Sequence, residues 1–99
     1  MEPPQAFEVE LGRSWRRWAK RRTSAELQAI QARLHELLAG FGKPHVHAGL
    51  GIRRLTSRIF EFRASRDLRV VFVFIKPRTI RLAMCGNHDD VKDWLRENG

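Results

Sequence analysis

Residues 60–86 read FEFRASRDLRVVFVFIKPRTIRLAMCG, and this stretch decides the fold. Phe60 and Phe62 alternate with charged residues, which is typical of a strand with one buried face. The run from 68 to 75 is almost continuously apolar, which indicates a strand buried on both faces. Alternation returns from 80 to 84. Short breaks separate the three segments, so the stretch predicts an antiparallel meander of three strands.

Upstream of the meander, the pattern predicts one strand and two helices. Apolar and charged residues alternate from 7 to 11, which predicts a strand. Ser14 is a good helix-capping residue and precedes a short, strongly basic amphipathic segment. A second helix begins after the capping box of Thr23 and Glu26 and ends at Gly40.

Downstream of the meander, Asn87 caps a last helix whose first turn carries Asp89 and Asp90. The order of elements predicts an α+β fold: a short strand and two helices, then a mostly antiparallel meander and a C-terminal helix. We expect the helices to cover one face of the sheet. The predicted core joins the second helix to the sheet, and its members are Leu27, Ile30, Leu34, Leu37, Phe60, Phe62, Val70, Phe72, Phe74, Leu82 and Met84.

The chain has 99 residues, and we expect a single domain spanning residues 1–99. A core of this size positions a few side chains but cannot enclose a large cofactor, so Rossmann and barrel enzymes are excluded and no cofactor is expected. Cys85 is the only cysteine, and the sequence shows neither a leader pattern nor a long apolar stretch. We therefore expect a cytoplasmic protein without a membrane partner.

The charge of the chain is strongly positive, because 19 Lys and Arg residues against 11 Asp and Glu residues give +8. A charge of this sign and size is typical of a protein that binds nucleic acid. The densest cluster lies in the first predicted helix, where Arg16, Arg17 and Arg21 surround two tryptophans. This cluster favours RNA or an acidic protein as its partner.

The first hairpin of the meander predicts a pair of arginines. Phe62 pairs with Val70 if the phenylalanines are to stay in the core, because a slip by one residue would turn them to solvent. This register places Arg63 opposite Arg69. Like charges directly across a strand pair repel each other, and an anion between the two guanidinium groups would remove that conflict.

The second hairpin adds a histidine to this pair. Pairing Phe72 with Met84 places Arg69 opposite Asn87, and His88 follows at the start of the last helix. Arg63, Arg69 and His88 are then predicted to converge beside a helix N-terminus, which also favours an anion. Two guanidinium groups, a helix end and an imidazole suit a phosphodiester.

Other basic residues near this end are candidates for RNA or phosphate binding. They are Lys43, His45, His47, Arg53, Arg54, Arg58 and Arg66. We do not expect a metal: His45 and His47 with Cys85 lack a partner at ligand spacing, and His88 with Asp89 lacks the further histidines that such a site needs.

Two segments resemble the RelE/ParE superfamily of toxins from bacterial toxin–antitoxin pairs, namely FEFRASRDLRVVF at 60–72 and GNHDDV at 86–91. The Gly-x-His order of the second segment is similar to the YafQ-like branch. The resemblance implies that Arg69 and Arg63 match family arginines and that His88 matches a catalytic histidine. Ile59 and Glu61 fall where RelE has lysines.

The resemblance also implies a function. It implies a metal-independent endonuclease that cleaves messenger RNA in the ribosome and is neutralised by a cognate antitoxin. Trp94 falls where RelE has a tyrosine and cannot relay a proton, so a scheme centred on His88 is expected, with His45 and His47 as candidates for the second proton carrier. The alternatives are a ParE-like inhibitor of DNA gyrase that cleaves nothing, and a basic RNA-binding module without catalysis.

Overall fold

The structure is a computed structural model and describes residues 8–40, 51–76 and 78–99. The strands are β1 (Glu8–Leu11), β2 (Arg53–Arg54), β3 (Ile59–Arg63), β4 (Arg69–Lys76) and β5 (Thr79–Gly86). The helices are α1 (Trp15–Ala19), α2 (Ser24–Gly40) and α3 (His88–Asn98). This order confirms the predicted α+β fold. Within the described parts of the chain, no helix has the length and apolar character needed to cross a membrane.

The five strands form one sheet in the order β1-β5-β4-β3-β2. Strand β1 runs parallel to β5, and the other neighbours are antiparallel. Gly12 ends the β1 pairing by donating its N–H to the Leu82 carbonyl at 2.7 Å. A Cβ on Gly12 would lie 2.7 Å from the same oxygen, so only glycine fits this close approach. The parallel partner of the first strand was not predicted.

Strand β4 lies at the centre of the sheet and is buried on both faces, as its apolar run predicts. Val70, Val71 and Phe72 are fully buried. On the first face, Phe72 packs in a cluster with Ile30 of α2. On the second face, Val71 packs in a separate cluster with α3. The expectation that the helices cover one face was therefore wrong, because α3 crosses to the face opposite α2.

A β-bulge in β5 shifts the register of the second hairpin. Val71 pairs with Met84 but Phe72 pairs with Leu82, so Ala83 is the extra residue. Both Ala83 and Met84 belong to the second-face cluster. The predicted pairing of Phe72 with Met84 was wrong, and so was the placement of Met84 in the core under α2.

The side chain of Ser14 forms a hydrogen bond with this bulge. Ser14 stands at the N-cap of α1, as predicted, but its hydroxyl makes no capping hydrogen bond. It donates instead to the carbonyl of Ala83 at 3.3 Å, so α1 is tied to the bulge of β5.

The first-face core otherwise follows the prediction. Phe60 stacks on Phe72 with ring centroids 5.7 Å apart and meets Phe74 edge-on at 5.2 Å. The capping box of α2 forms, with the Glu26 carboxylate accepting from the Thr23 N–H at 2.8 Å. Leu27 was expected in the core, but it is 40% exposed because it lies on the solvent side of the first helical turn.

Cys85 lies in the first-face cluster as a free thiol. Burial raises the pKa of this thiol to about 11. The group stays protonated at neutral pH, which makes Cys85 a small apolar core residue and not a nucleophile.

Candidate functional site

The arginine pair of the first hairpin forms as predicted. Phe62 pairs with Val70, and Arg63 pairs with Arg69 directly across the two strands. Directly opposite residues share one face of a sheet, so both arginines project from the second face, the face of α3. Gly51, at φ +65°, lies beside the Arg63 side chain, since a Cβ there would be 3.4 Å from the Arg63 Cγ and Cδ.

The anion that the arginine pair requires comes from the protein itself. The Arg69 Nη1 donates to the Glu61 Oε2 at 2.6 Å. The Glu61 side chain is 1% exposed and that of Arg69 is 15% exposed, so the two form a nearly buried ion pair. Sequence reasoning missed Glu61, although it is two residues before Arg63 and thus on the same face.

A third arginine lies next to this carboxylate. Arg53 of β2 is directly opposite Glu61 in the register, and its side chain is exposed. The open edge of the second face therefore carries Arg53, Arg63 and Arg69 on the three strands that neighbour or contain the buried Glu61.

His88 is held by the N-terminal cap of α3. The Asn87 Oδ1 accepts from the Asp90 N–H at 2.8 Å, and the Asp90 carboxylate accepts from the Asn87 N–H at 2.9 Å. A Cβ on Gly86 would lie 2.5 Å from the Asp90 Oδ2, so glycine leaves room for this capping box. The glycine of the Gly-x-His segment therefore has a structural reason, and the cap fixes the backbone of His88.

Arg69 and His88 line the same cavity. This cavity has a volume of about 230 Å³, and its lining residues are Arg66, Asp67, Arg69, Asn87, His88 and Asp89. Arg69 pairs with Gly86, and not with Asn87 as predicted. Arg69 and His88 nevertheless line the same cavity, because the partner of Arg69 differs from the predicted one by a single residue. Arg63 is outside this lining and borders it on the neighbouring strand.

The ionisable groups that line the cavity nearly cancel. Arg66 and Arg69 bring two positive charges, while Asp67 and Asp89 bring two negative ones. The cavity is therefore not strongly cationic, contrary to what two converging arginines suggest. The excess positive charge lies on the exposed arginines around it.

The remaining candidates of this region differ in their surroundings. Arg54 binds its own turn, with Nε donating to the Thr56 carbonyl at 3.3 Å and Nη2 to the Ser57 carbonyl at 3.4 Å. Arg58 is exposed just before β3. Lys43, His45 and His47 lie outside the described residues.

The basic residues in α1 and just after it lie apart from this cavity. The Arg21 guanidinium stacks 5.1 Å from the centroid of the Trp18 ring. Arg17 lines a different cleft, of about 400 Å³, between α1 and the Trp94 side of α3. Arg16 is exposed. Asp90, Asp93 and Glu97 line the same cleft as Arg17, and none of these arginines lines the cavity of His88.

The site can donate hydrogen bonds to a phosphate and move a proton. Arg69 retains donors beyond the one bound to Glu61, because a guanidinium carries five N–H groups. The exposed imidazole of His88 faces the same cavity and can exchange a proton with a bound group. Over residues 8–40, 51–76 and 78–99, no group of His, Cys, Asp and Glu is arranged to hold a metal ion.

Removing the cap of α3 is expected to loosen this arrangement. We expect Asn87→Ala to lower the free energy of unfolding by about 1 kcal/mol, because the Asp90 N–H loses its acceptor. For a domain of this length, that loss lowers the Tm by roughly 4–8 °C. Thermal unfolding followed by circular dichroism measures the change. Asn87→Ser, which keeps an acceptor, is the matched control, and equal Tm values for the two variants would contradict this account of the cap.

Comparisons with known proteins agree with this architecture. No protein-family model matches the sequence, and no curated protein matches it. Solved structures do match. A mutant of the E. coli toxin RelE in its free state has a TM-score of 0.66 at 14% identity, covering 91% of this chain and 92% of that one.

Two toxin–antitoxin complexes match to a similar degree. The E. coli DinJ–YafQ complex has a TM-score of 0.66 at 10% identity, covering 86% of this chain and 96% of that one. The archaeal RelE–RelB complex from Pyrococcus horikoshii has a TM-score of 0.63 at 14% identity, covering 84% of this chain and 96% of that one. The protein therefore has the fold of the RelE-like toxins.

Proposed function

We propose that this protein is the toxin of a toxin–antitoxin pair and an endonuclease that cleaves messenger RNA in the ribosome without a metal ion. The observation that carries this proposal is the cavity shared by Arg69 and His88 at the start of α3. The RelE-like fold supports it, and so does the Gly-x-His segment, whose glycine and capping box hold His88 at the mouth of that cavity.

The proposed reaction needs one acid, one base and positive charge. A base takes the proton of the ribose 2′-hydroxyl, and its oxygen attacks the adjacent phosphorus. The bond from phosphorus to the 5′-oxygen breaks, and an acid protonates that oxygen as it leaves. The products are a 2′,3′-cyclic phosphate and a 5′-hydroxyl end. Positive charge stabilises the phosphorane between these steps.

The residues divide these tasks. Arg69 contacts the phosphate from within the cavity, and Arg63 approaches it from the neighbouring strand. His88 is one of the two proton carriers. The second carrier is His45 or His47, or a group that the ribosome or the RNA itself supplies.

The surrounding arginines hold the RNA by its backbone. Phosphate contacts of this kind give affinity without reading sequence. The residues proposed for this are Arg53, Arg54, Arg58, Arg63 and Arg66 near the cavity, Arg16 and Arg17 on α1, Arg21 just after α1, and Lys43, His45 and His47.

The proposed protein partner is an antitoxin that acts in the same cytoplasmic compartment. Several proteins with this fold were solved with a partner, RelB or DinJ. We expect an acidic segment that folds on binding and covers Arg63, Arg69 or His88, since opposite charge favours association with a surface of net charge +8.

Cleavage in a translating extract tests this function. We expect the purified protein to cut messenger RNA there, to leave 5′-hydroxyl ends, and to do so equally in the presence of a chelator of transition metals that leaves ribosomal magnesium in place. Mapping the 5′ ends by primer extension measures the result. Intact messenger RNA with lost DNA supercoiling would favour the gyrase-inhibitor alternative, and RNA binding without either effect would favour the non-catalytic RNA-binding module.

A further inference from the structure

We propose that Glu61 is an internal counter-ion which weakens the hold of Arg69 on RNA phosphate, so that the exposed arginines around the cavity, and not the cavity itself, retain the RNA. This inference rests on the proposed function, because it describes how the same site binds its substrate.

The carboxylate of Glu61 stays at Arg69 when RNA arrives. Its side chain is 1% exposed and lies 2.6 Å from the Arg69 Nη1. If Arg69 left this carboxylate, the charge of Glu61 would remain buried without a partner, which is strongly destabilising. The ion pair is therefore retained. Glu61 is also fixed in the middle of β3, with Val71 opposite it on β4. A phosphate therefore binds beside the carboxylate and cannot replace it.

The retained carboxylate opposes the phosphate. Arg69 still offers N–H donors toward the cavity, but its charge is already balanced by Glu61. A phosphate that contacts Arg69 gains a hydrogen bond and experiences repulsion from the carboxylate behind it. Arg69 can therefore still orient a phosphate, while the affinity of the cavity for that phosphate is reduced.

The charges around the cavity also weaken the binding of a phosphate. Asp67 and Asp89 in the lining offset Arg66 and Arg69, and Glu61 places a further negative charge directly behind Arg69. Arg53 and Arg63 on the neighbouring strands are exposed. A site of this kind binds the scissile phosphate weakly and depends on flanking phosphates for affinity, which favours release of the cleaved product.

The salt dependence of RNA binding tests the inference. The probe is a short single-stranded oligonucleotide with 2′-O-methyl riboses, which cannot be cleaved. For single strands, each phosphate contact that releases a counter-ion adds about 0.7 to the slope of log affinity against log salt. We expect Glu61→Gln, which frees the charge of Arg69 and keeps an acceptor for it, to bind several-fold tighter at low salt and to steepen the slope by about 0.7.

Glu10→Gln is the matched control. It makes the same change in net charge, at the Arg81 ion pair on the exposed opposite edge of the sheet. We expect its slope to equal that of the wild type. A slope that steepens equally in both variants would show a general charge effect and overturn the inference.

A double variant keeps the test decisive if Glu61→Gln folds poorly. Glu61→Gln with Arg69→Gln leaves the net charge unchanged, and we expect it to keep the wild-type slope, because the pair that it removes is neutral. A slope shallower than wild type by about 0.7 would show that Arg69 already engages phosphate at full charge and would overturn the inference. If the wild type itself does not bind the oligonucleotide, the inference falls, while cleavage in the translating extract decides the proposed function separately. If it binds but Glu61→Gln matches it, only the inference falls.

Discussion

Replacing His88 with alanine is expected to lower the rate of messenger-RNA cleavage by about a hundredfold to ten-thousandfold, the usual loss when a general acid or base is removed. The imidazole is exposed and caps nothing, since the capping box of α3 uses Asn87 and Asp90. The variant should therefore keep its fold and its affinity for RNA while losing turnover. Primer extension in a translating extract measures the rate, and circular dichroism checks the fold.

His35→Ala is the matched control for this variant. His35 is also exposed but lies on α2, which packs on the other face of the sheet. We expect this variant to cleave at the wild-type rate. If His88→Ala cleaved at the wild-type rate, His88 would have no role in the reaction. Growth arrest by His88→Ala with a loss of DNA supercoiling would instead favour the gyrase-inhibitor function.

The sheet was the part of the fold that local sequence determines best. The apolar run of β4 predicted a strand buried on both faces, and Val70, Val71 and Phe72 are fully buried. The same run already implied that a helix must cover each face. The expectation of one covered face failed because it rested on the element order and not on this strand.

The two hairpins differ in how well alternation sets their register. The turn between Ala64 and Leu68 has only three residues, which restricts the register of the two strands. The pairing of Arg63 with Arg69 was therefore predicted correctly. The second hairpin contains a bulge at Ala83. Nothing in the apolar pattern marks that residue, since alanine fits either face, and its carbonyl accepts a hydrogen bond from Ser14 in a distant part of the chain.

The sequence predicted the arginines and the histidine of the candidate site but not the carboxylate of Glu61. Arg63 and Arg69 follow from strand register, and His88 follows from the cap and from the family resemblance. Glu61 was treated as the solvent side of an alternating strand. Its side chain is 1% exposed and paired with Arg69 of the neighbouring strand, and alternation within a single strand does not encode such a pairing.

Replacing Arg69 alone is expected to destabilise the fold by about 3–5 kcal/mol, because Glu61 is then left as a buried charge without its partner. We choose Arg69→Met, which keeps the length and apolar stem of the side chain. Urea unfolding followed by tryptophan fluorescence measures the free energy of unfolding. A loss of this size is a large part of the stability of a small domain, so activity lost by this single variant does not show a catalytic role.

Replacing both members of the pair separates stability from chemistry. In Glu61→Leu with Arg69→Met no buried charge remains, and exchanging a buried ion pair for apolar residues is often neutral for stability. We expect this double variant to recover most of the lost free energy of unfolding while RNA cleavage stays abolished, since the phosphorane has lost its arginine. Recovery of cleavage together with stability would show that Arg69 serves only to neutralise Glu61. Arg69→Met as stable as the wild type would show that the two side chains are not an ion pair in solution.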